Sequence, residues 1–230
     1  MDGDTVVVTG ASRGIGAAVV RDFAAAGAHV VACAREADEL DDLAAAVEAA
    51  EGSVTTRRAD VRDEFDVERL METAAREGDG IDAVVANAGV YHGDPGETPL
   101  SAASYAAFDD HLRTNGRGTF ATVRESIPHL NPDARVLVTS GAVAREPKPG
   151  YGSYAVSKAT AEAVARGFAA DLDHPVGVVD PGVVATDLTG GQGRDPDEVA
   201  PMFRWAATDA PADDLDGGVL DLQAWKRATR

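Results

Sequence analysis

The sequence predicts an α/β fold: a single domain over residues 1–230, built as an open, doubly wound parallel sheet with helices on both faces. Three observations predict it. Short β-branched runs alternate with amphipathic helical stretches along most of the chain. The first run, Thr5-Val6-Val7-Val8, leads straight into a glycine-rich turn and a helix. The residues of unusual chemistry stand at the C-terminal ends of the runs, where such a sheet places its site.

Each element follows in order. Thr5–Val8 reads as a buried parallel strand. Thr9-Gly10-Ala11-Ser12-Arg13-Gly14-Ile15-Gly16 comes next, then a helix that ends near Gly27. Strand, glycine turn and helix together make an anion cradle. Gly10 permits the tight turn, Gly14 lets backbone approach a phosphate, and Gly16 lets helix and strand pack closely. The second strand, His29–Cys33, ends at Ala34-Arg35. An acidic residue at this tip suits the free 2′-hydroxyl of NAD; an arginine suits the 2′-phosphate of NADP. Arg35, with Arg13 in the turn, favours NADP(H). Glu36 is the contrary observation and keeps NAD(H) as the alternative.

Glu36–Glu51 predicts a helix with Leu40, Leu43 and Val47 on one face. Ser53–Thr56 is a third strand, followed by Asp60-Val61, where a carboxylate can accept from an adenine amino group. Glu64–Arg76 is a helix with Val67, Leu70, Met71 and Ala74 inward. The fourth strand, Ile81–Ala86, closes in Asn87-Ala88-Gly89, small residues against which a flat cofactor can lie. Leu100–Leu130 predicts one long helix or two broken ones. Asn115 inside it is unfavourable locally, so it marks either a local bend or a placed amide.

The fifth strand, Arg135–Val138, runs into Thr139-Ser140-Gly141. A loop with Pro147 and Pro149 leads to Tyr151-Gly152-Ser153-Tyr154-Ala155-Val156-Ser157-Lys158, the start of a long helix of small residues. Four residues apart, Tyr154 and Lys158 share a helix face. An ammonium beside a phenol favours phenolate, easing proton exchange by a group whose free pKa is about 10. The sixth strand, Val176–Val179, ends in Asp180-Pro181-Gly182-Val183-Val184-Ala185-Thr186.

Composition narrows the function classes. The net charge is −18, from 39 acidic and 21 basic residues. Only Lys148, Lys158 and Lys226 are lysines. Such a surface repels nucleic acid and anionic membranes, which excludes both as main partners. It also resembles proteins of organisms that accumulate salt in the cytoplasm, where the salt screens self-repulsion. Cys33 is the one cysteine, so no intramolecular disulfide forms. No signal-peptide pattern or membrane-length apolar run is present, and the histidines lack metal-ligand spacing, so the expectation is a cytoplasmic protein without a metal site.

In order and spacing, these motifs resemble the short-chain dehydrogenase/reductase family over residues 5–186. The resemblance implies a Rossmann-like fold. It implies hydride transfer between NADP(H) and a small-molecule carbonyl or secondary alcohol. Tyr154 would be the acid for reduction or the base for oxidation, with Lys158 holding the nicotinamide ribose. Ser140 would polarise the substrate oxygen, Asn115 would position a relay water, and Thr186 would meet the carboxamide. The cofactor set it implies is Gly10, Ser12, Arg13, Gly14, Ile15, Gly16, Arg35, Asp60, Val61, Asn87, Ala88, Gly89, Tyr154, Lys158, Pro181, Gly182, Val184 and Thr186. A homo-oligomer, dimer or tetramer, is implied in the same way.

Three departures stand out. Ser140 lies one residue farther from Tyr154 than the family spacing, which counts to Gly141. An extra residue within 142–150 accounts for this and keeps Ser140, with Thr139 the weaker candidate. The fourth strand ends in one asparagine where relatives often carry two. The segment Asp216–Leu222 lacks the glycine pair that often follows the last strand. Tyr91, His92 and Tyr151 border the substrate side, and 188–210, rich in glycine at its start, is the expected lid. The readings in competition are an idle NADP-binding sensor or scaffold, against which the Tyr154–Lys158 pair argues, and an NAD-linked alcohol dehydrogenase.

Overall fold

Side chains alternate across a strand, so a run apolar at every position needs cover on both faces. The computed structural model describes residues 1–229 and meets that need. Seven strands, β1 (Thr5–Thr9), β2 (His29–Ala34), β3 (Ser53–Arg58), β4 (Ile81–Ala86), β5 (Leu130–Thr139), β6 (Val176–Asp180) and β7 (Val219–Asp221), form one parallel sheet in the order β3-β2-β1-β4-β5-β6-β7. The order reverses between β1 and β4, which opens the crevice above their C-terminal ends.

Helices α1 (Gly14–Ala25), α2 (Ala37–Ala49), α3 (Glu64–Glu77), α4 (Tyr105–His111), α5 (Gly118–Ser126), α6 (Gly152–Asp171), α7 (Pro196–Thr208), α8 (Ala212–Leu215) and α9 (Leu222–Ala228) complete the chain. Val6, Val8, Val30, Ala32, Val85 and Leu137 face one side, against α1, α2 and α7. Their neighbours Val7, Val31, Val84, Val136 and Val138 face the other, against α3, α5 and α6. Strand parity therefore tells which helix each side chain meets.

Two regions refine the expectations. Of the anticipated lid at 188–210, Pro196–Thr208 is α7, whose Val199, Ala200, Met202, Phe203 and Ala206 are buried in the core beside α1. Its heptad-like apolar spacing outweighs the glycines that precede it, and any lid is confined to the residues before Pro196. The helical region after Leu100 is broken in two: α4 and α5 are joined by a widened π turn, Leu112–Arg117, that buries Thr114, Asn115 and Gly116. Widened turns of this kind accompany sites because they re-aim side chains. Among the described residues, no helix is long and apolar enough to cross a membrane, and no cluster of side chains is suited to a metal ion.

Candidate active site

The glycine turn is built by exclusion of side chains. Gly10 and Gly14 hold φ of 65° and 57°, where other residues are strained. A Cβ on Gly10 would lie 2.6 Å from Ala88 Cα, and one on Gly16 would lie 2.1 Å from the Gly10 carbonyl oxygen. So Gly10 brings the turn against the end of β4, and Gly16 lets α1 sit on the turn itself. Asn87 then locks the two together, its Nδ2 donating to the carbonyls of Thr9 and Gly10 at 3.0 and 3.1 Å. The Thr9 hydroxyl accepts from the main-chain N–H groups of Asn87 and Ala88 at 3.1 and 3.2 Å. Asn87 is thus a clamp on the cradle.

Above the turn lies a cleft of about 360 Å³. Gly10, Ser12, Arg13, Gly14, Ile15, Arg35, Asp60, Val61, Asn87, Ala88, Gly89 and Thr186 all line it, joined by Glu36, Thr114, Leu188 and Pro196. Gly16 lies buried beneath it, and Val184 is buried too, bridging to Arg194. Gly182 N–H donates to Asp180 Oδ1 at 3.0 Å, which shapes the β6 tip. The Asp60 carboxylate is engaged by Arg62, with Nε 3.0 Å from each oxygen and a terminal nitrogen 2.7 Å from Oδ2. Burial raises its pKa, but these Arg62 bonds outweigh it and hold the acid below the ordinary carboxylate range.

At the edge of the cleft, Arg13 pairs with Glu39 at 3.4 Å and Asp187 at 3.2 Å. All three are well exposed, so the pairs are weak. Arg58, which the sequence reading passed over, donates through Nε to the Arg35 carbonyl at 3.2 Å and steadies the strand tip.

On the other side of the crevice, α6 carries Tyr154 and Lys158. Lys158 is buried, and its Nζ donates to the Thr139 carbonyl at 2.7 Å. The expectation that the ammonium lowers the phenol's pKa fails here, because desolvation dominates both groups. Burial pushes Tyr154 up to about 12, helped by Tyr91, Tyr151 and Asp180. It pushes Lys158 down to about 8, against the pull of Glu162 and Asp180.

The hydroxyls of Ser140 and Thr139 are both buried without a hydrogen-bond partner. Parity separates them. Val136 and Val138 share a face with Ala161 and Ala165 of α6, so Ser140 continues toward α6 while Thr139 points the other way with Leu137. Ser140 N–H still donates to the Val179 carbonyl at 3.0 Å, so the sheet pairing extends to it. Beyond it the chain makes a short turn at Ala142–Ala144 before the loop that leads to α6.

Asn115, in the π turn, spends its side chain on the protein. Oδ1 accepts from Val90 N–H at 2.8 Å, while Nδ2 donates to the Val90 carbonyl and to Ser157 Oγ, both at 2.9 Å. The amide ties the loop after β4 to α6. Nearby, His92 N–H donates to Nε2 of buried His111 at 2.9 Å, so the ring proton sits on Nδ1, which donates to Ser153 Oγ at 2.8 Å. Burial drives the His111 pKa down to about 4, and the ring is neutral. The His92 ring in turn meets Asp110 at 2.7 Å, and Arg62 meets the same carboxylate at 2.9 Å. Tyr91 lies over Tyr154 with ring centroids 4.7 Å apart and donates to the Gly150 carbonyl at 3.1 Å. His111 and Ser153 escaped the sequence reading; the one available signal was a histidine four residues before Asn115, on the inward face of a helix.

The short chain dehydrogenase family model matches residues 4–197. The chain belongs to that family. The short-chain dehydrogenase/reductase AacuN of Aspergillus aculeatus is 32% identical over 192 residues, 81% of this chain and 71% of that protein. Glycine betaine reductase ATRR of Emericella nidulans is 33% identical over 195 residues, 83% of this chain but only 15% of the longer relative. Among solved structures, a short chain dehydrogenase from Burkholderia cenocepacia J2315 in complex with NADP superposes with a TM-score of 0.85 at 27% identity, covering 97% of each chain. This short-chain dehydrogenase is therefore an oxidoreductase-family protein of the Rossmann-like class, with its crevice at the expected switch point.

Proposed function

We propose that this protein transfers hydride between NADP(H) and a small carbonyl or secondary alcohol. The observation that carries the reading is the bond from Lys158 Nζ to the Thr139 carbonyl, which sets the helix turn of Tyr154 and Lys158 against the strand end that bears the unpartnered Ser140 hydroxyl. The residues present fit a dinucleotide. Gly10, Gly14 and the start of α1 offer main-chain N–H groups to its phosphates, and Ala88-Gly89 offer a flat wall. When bound, the nicotinamide supplies or accepts the hydride.

The chain's own residues handle the oxygen. Ser140 Oγ donates to the substrate oxygen, a bond its buried hydroxyl has no competing partner for. Tyr154, protonated at neutral pH, donates its proton as negative charge develops on that oxygen. Lys158 would hold the ribose, and it supports the phenolate left behind. Its pKa near 8 keeps it mostly charged at neutral pH. Asn115 acts by holding Val90 and α6 in register. Tyr91 and Tyr151 wall the substrate side, and the loop between Thr186 and Pro196 closes over the cleft edge. A homo-oligomer in the cytoplasm suits the family and the acidic surface.

For the cofactor, Arg13, Arg35 and the supporting Arg58 favour a 2′-phosphate. An NAD-linked enzyme is the second reading, favoured by Glu36 on the cleft wall and by Glu39 on Arg13. The test is a fluorescence titration with NADPH and NADH in molar potassium chloride and in dilute buffer. Tighter NADPH binding is expected; preference for NADH selects the second reading, and binding of neither by folded protein removes both.

A further inference from the structure

Behind the Tyr154 face lies a set of buried charges that the proposed reaction does not use. Glu162 stands one helical turn beyond Lys158 on α6, and Asp180 ends β6 just before Pro181-Gly182; both carboxylates are almost wholly buried. Two carboxylates seldom survive such burial unpaired. Arg145, in the loop after Ser140, answers both, with one guanidinium nitrogen on Glu162 and another on Asp180.

We propose that Arg145 is a positioning residue, which ties the Ser140 loop, α6 and the β6 tip into one unit and balances the charge behind Lys158. This role rests on that proposed for Lys158 in hydride transfer.

Three segments meet in this cluster, and each contributes to the site. The Arg145 loop follows directly from Ser140, and its backbone turn is closed by Arg145 N–H on the Ala142 carbonyl at 3.0 Å. The α6 anchor fixes the helix that holds Tyr154 and Lys158. The β6 anchor has a second role, since Asp180 Oδ1 also accepts from Gly182 N–H at 3.0 Å and sets the turn beside the cofactor cleft. A planar fork that binds two carboxylates at once suits this bridging better than a point charge.

The charges sum to zero: Arg145 and Lys158 against Glu162 and Asp180. Glu162 from α6 and Asp180 from β6 are the anions that act on Lys158, and from β5 the uncharged Thr139 carbonyl accepts from its Nζ at 2.7 Å. Tyr91 and Tyr151 adjoin Tyr154, and Arg166 reaches Glu162 from the helix exterior at 3.9 Å. Both anions raise the Lys158 proton affinity against desolvation. Without Arg145, Asp180 loses the arginine that holds it and Glu162 keeps only the more distant Arg166, so both act on Lys158 more strongly.

Because the chain has three lysines, lysine labelled with ¹³C gives three side-chain resonances. Lys148→Arg and Lys226→Arg assign Lys158 by elimination. Its titration, followed by NMR without cofactor or substrate, is the test. In the wild type it is expected near pH 8. Arg145→Met is expected to bind the Lys158 proton at least tenfold more tightly, and Glu162→Gln to bind it more weakly than wild type. If Arg145→Met does not fold, the triple variant Arg145→Met/Glu162→Gln/Asp180→Asn removes the charges together, and its Lys158 is expected to lose its proton at lower pH than wild type. A Lys158 titration that is unchanged in the folded variants overturns the proposal. The readout needs no turnover, so failure here leaves the role of Tyr154 standing, and failure of turnover leaves this result intact.

Discussion

The two halves of the crevice are built by different means. The cofactor half, from β1 to the end of β4, is shaped by main chain: positive-φ glycines, absent Cβ atoms and short carbonyl contacts made by Asn87. The Tyr154 half is shaped by buried side chains reaching across tens of residues. Asn115 holds Val90 and Ser157, His111 joins His92 to Ser153, and Arg145 joins Glu162 to Asp180. A surface that must accept a constant dinucleotide can be set by backbone alone. The side that must fit one particular substrate is tuned by side chains, each one changeable without altering the sheet.

The comparison predicts different failures. Gly16→Ala strikes the backbone half. Its Cβ would sit 2.1 Å from the Gly10 carbonyl oxygen, so the turn must shift. We expect a stability loss of about 3 kcal/mol with a larger loss of dinucleotide affinity, read by urea unfolding and by cofactor titration. Near-wild-type values in both would mean the cradle is soft.

The side-chain half should show itself in pH. His111 is neutral when folded, with its pKa lowered from 6.5 to about 4. The unfolded chain therefore takes up this proton at higher pH than the folded one. The contribution is intact above the unfolded value, and is lost as pH falls from about 6.5 to about 4, by about 3 kcal/mol. His111→Gln, which can still accept from His92 N–H and donate to Ser153, should flatten the unfolding free energy across that window. An unchanged slope would contradict the buried neutral ring.

Much of this division was legible in the sequence, for physical reasons. Glycine spacing and strand-end residues report local backbone needs, so the glycine turn and the placing of Arg35 and Asp60 on the cleft are readable from neighbours in the chain. Tyr154 and Lys158 are readable because one helix carries both. The partners of Asn115, by contrast, lie 25 and 42 residues away, and nothing near Asn115 names them. The same holds for Arg145, whose partners are 17 and 35 residues distant. Burial reversed the expected Tyr154 shift because local spacing carries no information about desolvation. The lid narrowed because glycines mark a turn but say nothing of the core helix after it.

The smallest expected effect lies at the tip of β2. Arg35→Ala should weaken NADPH by about tenfold, or ~1.4 kcal/mol, and NADH far less. Arg35 is exposed, so salt screens its charge and the difference should shrink as potassium chloride is raised. Equal effects on the two cofactors would place Arg35 outside the phosphate site.

The central claim is that Tyr154 moves the proton. Wild type and Tyr154→Phe would be compared for NADPH consumption across a panel of aldehydes and ketones, with NADPH affinity measured in parallel. The account predicts a loss of at least about 100-fold in turnover with cofactor binding nearly unchanged. Turnover by Tyr154→Phe at the wild-type rate would contradict it.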